Sequence, residues 1–201
     1  MSLALGSDLQ LFLAPRIAAF VQRYPTVKLS LSARDSTTTL QLVLNDEVDI
    51  GIGRFAAVPA SLRKTHFFFT ALQAIYPKSH PLSLRRKPTL TDLASHGLIL
   101  LPPRSATRRA IDKTFSTHGI EIKRVIEAGG CFGTKQLVKL HLGVGLVHDI
   151  CMADKDGDLR VIDVGNLFPK FEVSAIYKKS RHLTLAQKTL IATLAKSLRS
   201  R

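Results

Sequence analysis

Hydrophobic positions in the first third of the chain switch between the two-residue period of a strand and the three-to-four-residue period of a helix. Leu3, Ala4 and Leu5 form a brief apolar run that ends at Gly6-Ser7-Asp8. Leu9, Phe12, Leu13, Ile17, Phe20, Val21 and Tyr24 then recur mostly at steps of three and four, which puts them on one helical face. Asp8 is placed to cap that helix, and Pro25 stops it. Val27, Leu29 and Leu31 alternate with Lys28, Ser30 and Ser32, the pattern of a half-buried strand. Asp35-Ser36-Thr37 can cap a second helix carrying Leu40, Val43 and Leu44, and Asp49 to Gly53 reads as a third short strand. The order strand, helix, strand, helix, strand predicts a parallel sheet with right-handed crossovers.

The pattern then restarts. Ala74 to Pro77 closes a strand, Thr91 to Ala94 is a short helix, and Leu98 to Leu101 is an apolar strand. Ala110, Ile111 and Phe115 mark a helix running toward His118-Gly119. Val125-Ile126, then Leu137, Val138 and Leu140, then Val144 to Val147 supply a further strand, helix and strand. Near the end, Val173, Ala175 and Tyr177 alternate, and Leu185 to Leu198 reads as an amphipathic helix through Leu190, Ile191 and Leu194. If this tail returns to the first unit, two segments cross between the lobes. The expected architecture is therefore α/β, two Rossmann-like lobes joined by two crossover strands, with residues 1–71 plus 172–201 in one lobe and 72–171 in the other. A ligand is expected in the cleft, outside the carboxyl ends of strands and beside helix N-termini.

Composition narrows the function. The chain has 201 residues, 45% of them hydrophobic, and a formal net charge of +14 from 29 basic and 15 acidic side chains. Such a charge attracts nucleic acid. However, the basic runs are no longer than Arg85-Arg86-Lys87 and carry no interleaved aromatics, so the charge reads as a background field rather than a groove. No secretory signal and no membrane span are expected, and Cys131 and Cys151 read as thiols in a reducing cytoplasm. Asp154, Asp156 and Asp158 resemble the start of a calcium loop. Gly157 stands at the wrong position and no closing glutamate follows, so a solvated turn is the reading. No metal site, cofactor or catalytic residue is expected.

The order of the motifs resembles a family. Leu13-Ala14-Pro15, Phe20 to Pro25 and Asp49-Ile50-Gly51-Ile52 are similar to the first lobe of LysR-type effector domains. His80-Pro81-Leu82, Thr89 to Ala94 and Leu142-Gly143-Val144-Gly145 continue the resemblance over nearly the whole chain. Asn166-Leu167-Phe168-Pro169 and the tail resemble the subgroup that regulates sulfur and cysteine metabolism. The resemblance implies a type-2 periplasmic-binding-protein-like fold, oligomeric action, and DNA binding through an N-terminal winged helix-turn-helix that these residues do not include. A homodimer is expected (a tetramer for a longer parent), because the Leu9–Tyr24 helix and its counterpart in the second lobe expose apolar faces that two lobes alone do not cover. Two alternatives share the fold: a solute-binding protein of a transporter, and a prephenate-dehydratase-like enzyme. The latter lacks a nucleophile with a base at sensible spacing.

Four stretches are candidates for the effector site. Gly6, Ser7 and Asp8 open the first helix, where backbone N–H groups can receive a ligand. Arg54 follows the third strand and can clamp an anion, or it can form an ion pair. Ser105, Ala106 and Thr107 open a helix in the second lobe, as site or as ordinary cap. Gly129 and Gly130 permit close backbone approach, or simply make a tight turn. Asp8 opposes a doubly charged anion, so a small organic acid or zwitterion is expected ahead of sulfate. His148 and Asp149 are adjacent on a strand and are expected to face opposite ways, which excludes an acid–base pair.

Overall fold

The computed structural model describes residues 1–152 and 157–196. The chain forms two compact units, Met1–Phe69 with Glu172–Arg201, and Thr70–Phe171. Each is built on a five-stranded mixed sheet.

In the first unit, β1 (Ser2–Leu5), β2 (Ser30–Ala33) and β3 (Ile50–Gly53) are parallel, with Leu3 opposite Leu31 on one side and Ile50 on the other. The full order is β2-β1-β3-β10-β4, where β4 is Leu62–Thr70 and β10 is Phe171–Lys178. β10 runs antiparallel to β3. Helix α1 (Ser7–Arg23) buries Leu9, Leu13, Ile17 and Phe20, the i, i+4, i+8 and i+11 positions of one face. Pro15 lies inside α1 and is exposed, so the helix tolerates a missing hydrogen bond on its solvent side. Helix α2 (Ser36–Leu44) starts at Asp35, whose carboxylate accepts from the Thr38 N–H at 2.9 Å. Behind the sheet, Val43, Val48, Ala4, Leu62 and Ile176 form one apolar cluster.

The second unit repeats the plan with a different sequence. Its order is β7-β6-β8-β5-β9, made of β5 (Leu72–Pro77), β6 (Leu98–Leu100), β7 (Val125–Glu127), β8 (Val144–His148) and β9 (Leu159–Asp163). β6 is parallel to both β7 and β8, whereas β5 is antiparallel to its neighbours. Helix α3 (Leu90–Ser95) opens with a reciprocal capping box between Thr89 and Asp92. Helix α4 (Ala106–Thr117) buries Ile111 and Phe115 into a core with Leu98, Leu100, Val144 and Leu146. Helix α5 (Cys131–Lys139) lays Val138 on Ile75, Ile99 and Val147. The last helix, α6 (Leu185–Lys196), returns to the first unit and packs on α1, burying Leu190, Ile191 and Leu194.

Several expectations change. The alternating run from Val27 yields a strand only at Ser30–Ala33, an edge strand with no buried residue. Leu140 lies just past α5 and is 68% exposed, so it is not part of that helix's apolar face. Leu198 and the acidic positions Asp154 and Asp156 lie outside the described residues.

Candidate functional site

In both units the polar groups of interest lie where parallel strands end and helices begin. In the first unit, β1 ends at Leu5 and α1 begins at Ser7, with Gly6 as its extended N-cap residue. Asp8 therefore sits in the first turn and does not cap the helix, contrary to expectation. A glycine at the N-cap has no side chain to accept the first N–H groups, so they remain available. The Asp8 carboxylate instead folds back: a Cβ on Gly6 would stand 2.7 Å from its Oδ1. Gly6 thus makes room for Asp8.

Arg54 follows β3, and its own backbone N–H donates to Ser36 Oγ at 3.1 Å. Its side chain is only 9% exposed, and Nη2 lies 2.8 Å from Asp8 Oδ2. Of the two pairings open to Arg54, the ion pair is realised, with Asp8 as partner. It is incompletely satisfied, because neither Nε nor Nη2 aims an N–H at an acceptor among the described residues. The contact is ionic attraction without a directed hydrogen bond. A buried guanidinium keeps two donors in search of an oxygen, an arrangement that costs free energy unless something fills it.

The second unit uses neutral groups. Ser105 caps α4, its Oγ accepting from the Arg108 N–H at 3.3 Å. Ala106 is the first helical residue, and Thr107 follows, 4% exposed. The Thr107 hydroxyl meets His148 Nε2 at 2.9 Å. On the other side of the ring, Nδ1 lies 3.1 Å from Thr70 Oγ1, and that hydroxyl donates to Asp149 Oδ1 at 2.5 Å. Thr70 has one proton and gives it to the carboxylate, so His148 Nδ1 must donate to Thr70. A neutral ring then has only Nε2 left as acceptor, and Thr107 donates to it. With the ring neutral, protons run from Thr107 to Nε2, from Nδ1 to Thr70, and from Thr70 to Asp149.

This network overturns the expectation that His148 and Asp149 face apart. β8 ends at His148, and Asp149 opens a 3-10 turn that runs to Cys151, so strand alternation stops between them. Asp149 also accepts from the Ala71 N–H at 3.3 Å and donates its own N–H to the Ala71 carbonyl at 3.0 Å. The ring of Phe171 meets the His148 ring edge-on at 5.0 Å. Sequence reading passed over Thr70 altogether. The available signal was a histidine at the end of an otherwise apolar strand, which must find partners when buried.

Gly130 is the N-cap residue of α5, again without a side-chain cap, and a Cβ on Gly129 would meet nothing within 4 Å. Packing does not require Gly129 to be glycine. The structure brings Gly6, Ser7, Asp8 and Arg54 together in one unit, and Ser105, Ala106 and Thr107 together in the other. Among the described residues, no group of three or more His, Cys, Asp or Glu is arranged to hold a metal ion.

Two mixed sheets with helix N-termini over the ends of their parallel strands define a two-lobed α/β domain of the type-2 periplasmic-binding-protein-like kind. Residues 2–199 match the model of the LysR substrate binding domain, and the chain belongs to that family. It is 33% identical over 184 residues to the HTH-type transcriptional regulator CysB of Burkholderia cenocepacia, a match that covers 90% of this chain and 59% of the regulator. Among solved structures, the cofactor-binding domain of the Cbl transcriptional regulator superposes with a TM-score of 0.90 at 24% identity, covering 98% of this chain and 87% of that one. The regulatory domain of CcmR from Synechocystis, in complex with 2-PG, gives 0.88 at 21% identity over 100% and 97% of the two chains. The described residues contain no helix long and apolar enough to cross a membrane.

Proposed function

We propose that this chain is the effector-sensing part of a cytoplasmic transcription regulator and that its ligand is a small carboxylate or zwitterion. The observation that carries this reading is the buried Arg54 guanidinium, with two nitrogens lacking an acceptor beside the uncapped start of α1. A carboxylate supplies oxygens to the first N–H groups of the helix and, once the Arg54 side chain turns toward it, to those buried donors. Asp8, 2.8 Å from Arg54, already offsets one positive charge. It therefore disfavours a dianion, and it welcomes an ammonium group on the same ligand. In the second unit, the N–H groups at the start of α4 and α5 offer neutral polar contacts, with Gly129 and Gly130 leaving the backbone bare, while Thr107 sets the geometry of that end through His148. CysB and Cbl as relatives favour a regulator over a transporter component or an enzyme. DNA binding belongs to a longer parent. A ligand that binds one arrangement of the two units better than another shifts their population, and no more is needed to pass a signal.

The same reading includes a homodimer. Helix α1 exposes Leu11, Ala14, Pro15, Ala18 and Val21 along one side, with Leu11 72% exposed. A second copy covering this stripe is the simplest solution. The corresponding helix of the second unit differs from expectation, since α4 exposes Arg109, Lys113, Ser116 and Thr117 rather than an apolar face.

The test is a thermal-shift panel of sulfate, small organic acids and amino-acid derivatives on wild type, Arg54→Ala and Thr107→Val. Each protein is compared with its own ligand-free state. At about a hundred times its dissociation constant, a ligand stabilises the fold by roughly 2.7 kcal/mol. The reading expects a carboxylate or zwitterion to stabilise wild type, to lose its effect in Arg54→Ala, and to keep a reduced effect in Thr107→Val, where the geometry set through His148 is disturbed. Strong stabilisation by sulfate alone, or shifts that survive Arg54→Ala, would overturn it.

A further inference from the structure

Cys131 and Cys151 are twenty residues apart in sequence, yet they share one corner of the second unit. Cys131 is the first residue of α5, and Cys151 ends the 3-10 turn after β8. Cys131 Sγ lies 3.7 Å from the carbonyl oxygen of Cys151. A carbonyl oxygen stands about 2.4 Å from its own Cα, so the Cys131 sulfur is within about 6 Å of the Cys151 Cα. Independently, both side chains pack against the same apolar cluster of Ile75, Ile99, Ala128, Val138, Val147 and Leu159. They therefore lie on the same face of the fold, and closing a bond asks mainly for the Cys151 side chain to turn toward a sulfur already beside its backbone. Both residues are partly exposed, which leaves this corner open to a small oxidant.

We propose that Cys131 and Cys151 form a reversible dithiol that hydrogen peroxide converts to a disulfide. The Cys131 thiolate attacks one peroxide oxygen; the O–O bond breaks, the S–O bond forms, and the departing hydroxide takes up a proton to leave as water. Cys131 is then a sulfenic acid. The Cys151 sulfur attacks the Cys131 sulfur; the S–S bond forms, the S–O bond breaks, and a second water leaves with the proton from Cys151. One peroxide and two thiols become one disulfide and two waters. Cys131 goes first because, once its thiol gives up the contact it donates to the Cys151 carbonyl, the sulfur stands at the opening of a helix with no acid in its first turn and no side-chain cap, where backbone N–H groups favour negative charge.

The bond would tie the start of α5, directly after Gly129-Gly130, to the turn that begins with Asp149. Both neighbours already belong to the polar network or to the glycine turn described above. Oxidation therefore replaces a weak S–H···O contact between the two segments with a covalent bond.

The experiment exposes the fully reduced chain to hydrogen peroxide, blocks remaining thiols with an alkylating agent, and maps peptides by mass. Wild type should lose about 2 Da, escape alkylation at both positions, yield a linked Cys131–Cys151 peptide, and revert with dithiothreitol. Cys151→Ser should stop at a sulfenic acid on Cys131 that dimedone traps, and Cys131→Ser should give no intramolecular product. Alkylation of both cysteines in peroxide-treated wild type would overturn the proposal, as would disulfides formed only between chains. A dimedone adduct on Cys151 in Cys131→Ser, with none on Cys131 in Cys151→Ser, would overturn the order of attack.

Discussion

The two units present the same fold element, a helix opening over a strand end, with opposite chemistry. The first unit places a buried ion pair there, Asp8 with Arg54, and leaves guanidinium nitrogens without acceptors. The second places a row of neutral or singly charged hydrogen-bonding groups, Thr107, His148, Thr70 and Asp149, whose mutual bonds satisfy the ring on both sides. One end is electrostatically unfinished and the other is complete. An unfinished end gains from a ligand, whereas a complete end sets geometry and costs free energy when it is broken.

The comparison can be broken most severely at Asp8. Asp8→Ala leaves the buried Arg54 charge without its counterion and should cost about 3 kcal/mol in chemical denaturation. Arg54→Ala should cost clearly less, because it removes the orphaned donors and leaves Asp8 at a helix N-terminus that favours its charge. Equal losses for the two substitutions would contradict the picture of an unfinished pair.

In the second unit, Thr70→Val strips His148 Nδ1 of its acceptor and Asp149 of a donor. A cost of about 1–3 kcal/mol is expected from the unsatisfied buried ring. Thr70→Ser keeps the hydroxyl and should recover most of it. If Ser does no better than Val, then methyl packing, not the hydrogen bonds, holds this end together.

A smaller effect lies outside both ends and calibrates them. Thr89→Ala removes the cap of α3 and should cost about 1 kcal/mol. The backbone N–H of Thr89, then its hydroxyl, hold the Asp92 carboxyl below its ordinary range. The folded value is lower than the unfolded one, so this contribution is complete above the ordinary carboxylate range and fades as pH falls through the folded value. The gap between wild type and Asp92→Asn should therefore narrow on acidification. A gap that widens toward acid would reverse the assignment.

The sequence made the ordinary parts of the fold legible wherever burial writes a clear period. The apolar face of α1, the short runs at β3, β6 and β8, and the cap at Asp35 all carry local signals that their surroundings reinforce. The strands it does not reveal, β4 and β9, are both edge strands. Their solvent-facing positions interrupt alternation with Arg63, Lys64, His66 and Arg160, as edges exposed to water permit. The site was half legible for a related reason. Residue types near helix starts identify Ser105, Thr107, Asp8 and Arg54 as polar groups at strand ends. Which of them pair depends on contacts between residues far apart in sequence. Asp8 meets a side chain from the end of β3, and Thr107 meets one from the end of β8. The assignment of Asp8 as a cap followed local rules that a buried arginine overrides. His148 and Asp149 were separated by a strand rule that ceases to apply where the strand stops.

The most direct measurement is native mass spectrometry of the chain isolated from cells, on wild type and Arg54→Ala prepared side by side. The account predicts that wild type carries an additional small mass, identified on release as a carboxylate or zwitterion, and that Arg54→Ala carries none. A sulfate adduct of equal abundance in both proteins, or an organic ligand retained as fully by Arg54→Ala as by wild type, would contradict it.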